Sequence, residues 1–137
     1  MATRPQVTSD AQAQRPLSPH LSIWRWRVHT VTSIMHRATG DGLAIVGGIL
    51  FTWWLVAAAA GPEAYAVFLG VATGPIGLIV GIGMTWGLFQ HAASGVRHLA
   101  MDTGAGFELD TSKTTATMTF VVSTLLTIAL WAFILLR

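Results

Sequence analysis

The chain contains no cysteine. No disulfide, thiolate metal site or iron–sulfur cluster can therefore be built from its own side chains. Charge is the second scarcity. Only 10% of the 137 residues are Asp, Glu, Lys or Arg, against about 25% in soluble domains. Apolar residues fill the gap: 53% of the chain is hydrophobic and the mean hydropathy is +0.59. This composition excludes an ordinary soluble domain. A formal net charge of +2 offers no basic surface for nucleic acid. The length allows three membrane spans with no separate soluble domain.

The few charges are unevenly placed. Five of the eight cations, Arg4, Arg15, Arg25, Arg27 and Arg37, precede the first long apolar run, against two anions, Asp10 and Asp41 at its edge. By the positive-inside rule the N-terminus is expected in the cytoplasm, and three spans then put the C-terminus outside. Residues 1–14 lack the apolar core and small-residue cleavage site of a secretory signal, and are poor in Arg for a mitochondrial transit peptide. A bacterial inner membrane is the expected location, with the mitochondrial inner membrane as the alternative.

The fold class read from this pattern is all-α, with three transmembrane helices. Residues 1–29 form a cytoplasmic segment. Within it Arg15-Pro16-Leu17-Ser18-Pro19-His20-Leu21 carries two prolines and reads as extended. Trp24-Arg25-Trp26-Arg27 suits a membrane interface or a docking contact with a partner. Residues 30–60 form the first helix, capped by Thr30 or Thr32. In it Gly40, Ala44 and Gly48 make a small-xxx-small stripe fit for close helix contact. Asp41 is either solvated or paired with Arg37. Residues 61–75 are an external loop with a short interfacial helix, 76–98 the second span, 99–113 a cytoplasmic loop and 114–136 the third span. The third span has no ionisable side chain, and its threonines are expected to bond their own helix backbone.

Histidine inside an apolar run carries the chemistry. His91 and His98 are seven residues apart, so they share one helix face roughly 10 Å apart along the axis. Gly87, Ser94 and Gly95 flank that stripe and leave a recess for a flat group. The topology brings Ser33, His36, Arg37, Arg97 and His98 to one membrane surface, with His91 about 10 Å deeper. A haem fits this gradient: His91 supplies an axial nitrogen, while His36, Arg97 and His98 meet the anionic propionates. The plainer alternative is that His91 only hydrogen-bonds a neighbouring helix. Ser33 and Arg37 lie one turn apart near the start of the first helix. A hydroxyl and a guanidinium there can donate to a carbonyl oxygen that gains negative charge, as on a quinone headgroup. The alternative is a solvated Arg beside a capping Ser.

Three blocks, in order, resemble the cytochrome b subunit of succinate dehydrogenase, a membrane anchor of respiratory complex II. They are Arg15 to Leu21, then Ser33-Ile34-Met35-His36-Arg37-Ala38-Thr39-Gly40, then His91-Ala92-Ala93-Ser94-Gly95-Val96-Arg97-His98-Leu99-Ala100-Met101-Asp102. Many members of that family have an aromatic residue where this chain has Met101. The resemblance implies a heterodimeric helical bundle with a second membrane anchor subunit, sharing one haem b with an axial histidine from each. It implies His91 as this chain's ligand to the iron, with His36 and His98 near the propionates. It implies Ser33 and Arg37 at a ubiquinone site shared with the iron–sulfur subunit and the second anchor. Succinate would be oxidised on a flavoprotein subunit, so this chain alone catalyses nothing. A fumarate reductase anchor and a non-redox three-helix scaffold are the competing readings.

Overall fold

A computed structural model of the chain describes residues 24–137. The Arg15 to Leu21 block lies outside the described residues. Helix α1 (Val28–Gly42) runs into a π-helical turn (Leu43–Gly47) and on into α2 (Gly48–Ala60). Together they make one 33-residue span. Gly61, at φ +113°, turns the chain; this backbone conformation strains any residue with a Cβ. Pro62 then opens α3 (Pro62–Ala72), and Pro75 opens α4 (Pro75–Asp102). Proline suits a first helical position because its missing N–H has no partner there. A short loop with Gly104 and Gly106 at positive φ leads to α5 (Leu109–Leu136).

The three spans go up, down and up. The start of α1, the end of α4 and the start of α5 share one end of the bundle, called here the site end. The spanning helices are longer than the apolar runs that mark them. The second span continues to Asp102 and the third begins at Leu109, five residues before the expected start. Hydropathy marks where hydrocarbon ends, whereas a helix persists into the polar layer. Asp110, in the first turn of α5, favours that helix start electrostatically. The first span starts at Val28, and neither Thr30 nor Thr32 caps it. Thr32 Oγ1 instead donates back to Val28 O at 2.9 Å and lies 3.4 Å from Ala116 O on α5.

The interior of the bundle is polar and small. Among the described residues the buried apolar side chains are Ala57 and Ala116, while eight buried residues are polar or charged. The apolar windows of the three spans are only 6%, 6% and 17% buried. Most of the large apolar side chains therefore face outward, as lipid or a partner membrane subunit requires. Gln90 of α4 is the centre of this interior, fully buried. Its Nε2 donates to Thr119 Oγ1 at 3.2 Å, and its Oε1 accepts from Ser123 Oγ at 2.8 Å. In lipid such interhelical bonds average about 0.6 kcal/mol, with a ceiling of about 1.7. Four threonines of α5 bond their own backbone, as expected: Thr115, Thr117, Thr119 and Thr127 donate to carbonyls three or four residues back. Thr119 in addition accepts from Gln90, so α5 also locks α4 in place.

The π turn changes the face that α1 and α2 show to α4. Ala44 and Gly48 are exposed and line an outward groove with Ile45, Ile49 and Thr52. Of the expected small-residue stripe, Gly40 alone makes the close interhelical contact, against His91. Gly47, outside that stripe, makes another: a Cβ there would stand 3.0 Å from Met84 Cε. The wider π turn adds a residue to the helical register, which moves the following residues around the axis.

Candidate haem and quinone site

The site-end half of α1 faces α4 across three imidazoles. His36 stacks on His91, with ring centroids 4.1 Å apart and planes 10° from parallel. It meets His98 edge-on at 5.0 Å and 63°. His36 therefore bridges the two histidines that the seven-residue spacing puts on one face of α4. Small residues make room for this. A Cβ on Gly40 would stand 2.9 Å from His91 Cε1, and one on Gly95 would stand 3.7 Å from His36 Nε2. The buried hydroxyl of Ser94, between His91 and His98 on α4, has no hydrogen-bond partner among the described residues.

The surroundings of His91 fix which nitrogen carries its proton. Nδ1 lies 3.0 Å from the backbone oxygen of His36 and 3.5 Å from Thr39 Oγ1. The carbonyl can only accept. Thr39 donates its own proton to Met35 O at 2.6 Å, so it too faces His91 as an acceptor. Nδ1 is then the nitrogen that carries the N–H, and the other nitrogen, Nε2, is the one that can offer a lone pair. Nε2 has no hydrogen-bond partner among the described residues and is not sealed from its surroundings. This is the arrangement a metal-binding imidazole needs: one nitrogen tied back, the other free.

The donor set fits a haem better than a bare metal ion. Parallel rings 4.1 Å apart cannot aim two lone pairs at one ion. Among the described residues no three His, Cys, Asp or Glu side chains are grouped to hold a metal. One free imidazole nitrogen, flanked by glycines, with two further imidazoles nearer the polar end, fits what a haem needs from a histidine ligand.

Other expected site residues are placed differently. Arg37 is exposed and Ser33 half-buried on α1, and neither side chain hydrogen-bonds a described residue. Arg37 makes no ion pair with Asp41; among the described residues the one ion pair is Lys113–Asp110, at 3.2 Å. Ser33 lies in the second turn of α1, further from the positive helix end than a start at residue 30 implies. Arg97, expected beside the propionates, is turned away from the imidazoles. It is buried against α5, donating from Nε to Thr115 Oγ1 at 3.1 Å and from Nη2 to Ser112 Oγ at 2.9 Å. The physical reason is the 100° step between neighbours on a helix. His91 and His98 face α1, so Gln90 and Arg97, each one residue earlier, face α5. Gln90 is the structural residue that spacing alone missed; an uncharged amide beside a histidine is the signal that could have found it.

Residues 11–130 match the model of the succinate dehydrogenase/fumarate reductase transmembrane subunit. The chain belongs to that family. It is 43% identical over 99 residues to the succinate dehydrogenase cytochrome b556 subunit of Paracoccus denitrificans, covering 72% of this chain and 75% of that one. It is 32% identical over 126 residues to the subunit of the same name from Rickettsia prowazekii, covering 92% and 98% of the two chains. The mitochondrial cytochrome b560 subunit of Mus musculus is 34% identical over 104 residues, 73% of this chain and 60% of the mouse one. The chain is thus a helical membrane-anchor subunit of the complex II family.

Proposed function

We propose that this anchor binds haem b through His91 Nε2 and helps to deliver electrons from succinate to ubiquinone. A second anchor subunit would complete the hold on the haem. Succinate is oxidised on a flavoprotein subunit, and the electrons reach the membrane through the clusters of an iron–sulfur subunit. The site end faces the cytoplasm, as the cation-rich N-terminal segment favours. The observation that carries the reading is the His91 ring, whose Nδ1–H is tied to His36 O at 3.0 Å while Nε2 stays free.

Each residue then has a definable task. The His36 carbonyl and Thr39 hold the His91 ring in one tautomer and one orientation, which raises the basicity of the free nitrogen. His36 and His98, closer to the membrane surface, donate to the propionates. Gly40 and Gly95 keep the pocket clear of Cβ atoms. When bound, haem b supplies one-electron redox chemistry at its iron. Ser33 and the exposed Arg37 donate to a quinone carbonyl oxygen, and the guanidinium favours that oxygen as it gains negative charge. Protons reach the quinone from the adjacent aqueous side.

The test uses the whole complex, purified through a tag on this chain. Its dithionite-reduced minus oxidised spectrum should show b-type haem bands. Arg37→Ala should lower succinate–ubiquinone reductase activity while succinate oxidation with a soluble dye acceptor continues. Parallel loss of both activities in an assembled complex would contradict the quinone assignment. A spectrum without haem bands would contradict the cofactor assignment.

A further inference from the structure

The opposite face of α4 carries a second feature, and the haem reading does not use it. A cavity of about 570 Å³ opens between α4 and α5 at the site end, lined by Arg97 and by Val96, Met101, Thr111, Met118 and Val122 among others. Its walls are almost wholly apolar below Arg97. The Arg97 side chain is 9% exposed, and among the described residues no carboxylate lies within 4 Å of it. Nε and Nη2 are bonded to Thr115 and Ser112, while Nη1 has no partner among the described residues. A guanidinium at a membrane surface, largely withdrawn from water and with no counter-charge among the described residues, calls for an anion. Its planar fork suits phosphate. A carboxylate sits at the rim as well. Glu108 Oε2 accepts from Thr111 Oγ1 at 3.3 Å, and Thr111 lines the cavity. Glu108 is exposed and makes no ion pair with a described residue.

We infer that this groove holds one phosphatidylethanolamine-type lipid, with its phosphate on Arg97, its ammonium toward Glu108 and an acyl chain along Val96, Met118 and Val122. The charges decide the headgroup. Arg97 alone would accept any phospholipid. Glu108 at the mouth disfavours a purely anionic headgroup and favours one that carries its own cation. The groove length fits the lipid's two parts: Arg97 stands near the polar end of α4, and the apolar lining continues at least a turn deeper, to Ala93.

The complex is purified in detergent, equilibrated with vesicles of equal phosphatidylethanolamine and phosphatidylglycerol, and its retained lipid is measured by native mass spectrometry. The wild type should retain phosphatidylethanolamine over phosphatidylglycerol. Arg97→Gln should lower retention of both about tenfold, the effect of losing one charge-assisted phosphate contact. Glu108→Gln, an exposed change that spares the fold, should erase the preference between headgroups and leave total retention unchanged. A photo-crosslinking residue in place of Met118 should attach to lipid in the wild-type background. Attachment there to a partner polypeptide or to residues 1–23 would overturn the assignment. So would equal retention of the two lipids by the wild type, displacement of the lipid by inorganic phosphate alone, or retention unaffected by Arg97→Gln.

Discussion

Helix α4 shows two polar faces, and they differ in kind. Toward α5 it offers Gln90, fully buried, with both ends of its amide bonded to Ser123 and Thr119. Toward α1 it offers His91 and His98, half-buried, with no partner for His91 Nε2 among the described residues. Both faces break the apolar run, and both use a residue type that is rare in lipid. Satisfaction separates them. A sealed, fully bonded amide is a fastener between helices. An imidazole with one nitrogen tied back and the other free is prepared for something that is not protein. Polarity within a membrane span is thus a poor guide to function until its hydrogen bonds have been followed.

Substitutions on the two faces should therefore diverge, and the size of the divergence ranks them. The largest effect is expected from His91→Ala, which should abolish the b-type absorption bands of the purified complex. Arg37→Ala comes next. Loss of one preorganised charged donor should lower the ubiquinone-linked turnover by about a hundredfold, at the low end of what such donors contribute, with dye-linked succinate oxidation retained. Gly40→Ala is milder but touches the same face. The added Cβ would stand 2.9 Å from His91 Cε1 and must move the ring. A shifted haem midpoint potential in redox titration, with the bands still present, is the expected outcome. Gln90→Leu should be smallest: about 1 kcal/mol of helix-association stability for two lost interhelical bonds, read as a lower thermal midpoint. The haem spectrum of Gln90→Leu should match the wild type. If Gln90→Leu altered the spectrum as much as Gly40→Ala, the functional separation of the two faces would fail.

Much of this could be read in the sequence, for physical reasons that also explain what could not. Three spans follow from the scarcity of charge. The pairing of His91 with His98 follows from their seven-residue spacing, and the convergence of His36 with them follows from the up-and-down order of the helices. Hydropathy reports the hydrocarbon boundary only, so the starts at Val28 and Leu109 were not legible. Nor was the π turn at Leu43–Gly47, because a run of apolar and glycine residues gives the same pattern in either helical form. The partners of Arg97 were not legible either: one residue along a helix is a turn of 100°, and that step carries Arg97 toward Thr115 and Ser112 of α5. The tautomer of His91 depends on the backbone oxygen of His36, 55 residues away. No local pattern records such a contact.

The central claim is that the ring at position 91 provides a metal-binding nitrogen. Chemical rescue tests it most directly. The complex carrying His91→Gly should lack b-type bands, and added imidazole should restore them in a saturable titration, while the same additive leaves the spectrum of a Gln90→Gly complex unchanged. Unaltered haem bands in the His91→Gly complex before any imidazole is added would contradict the account.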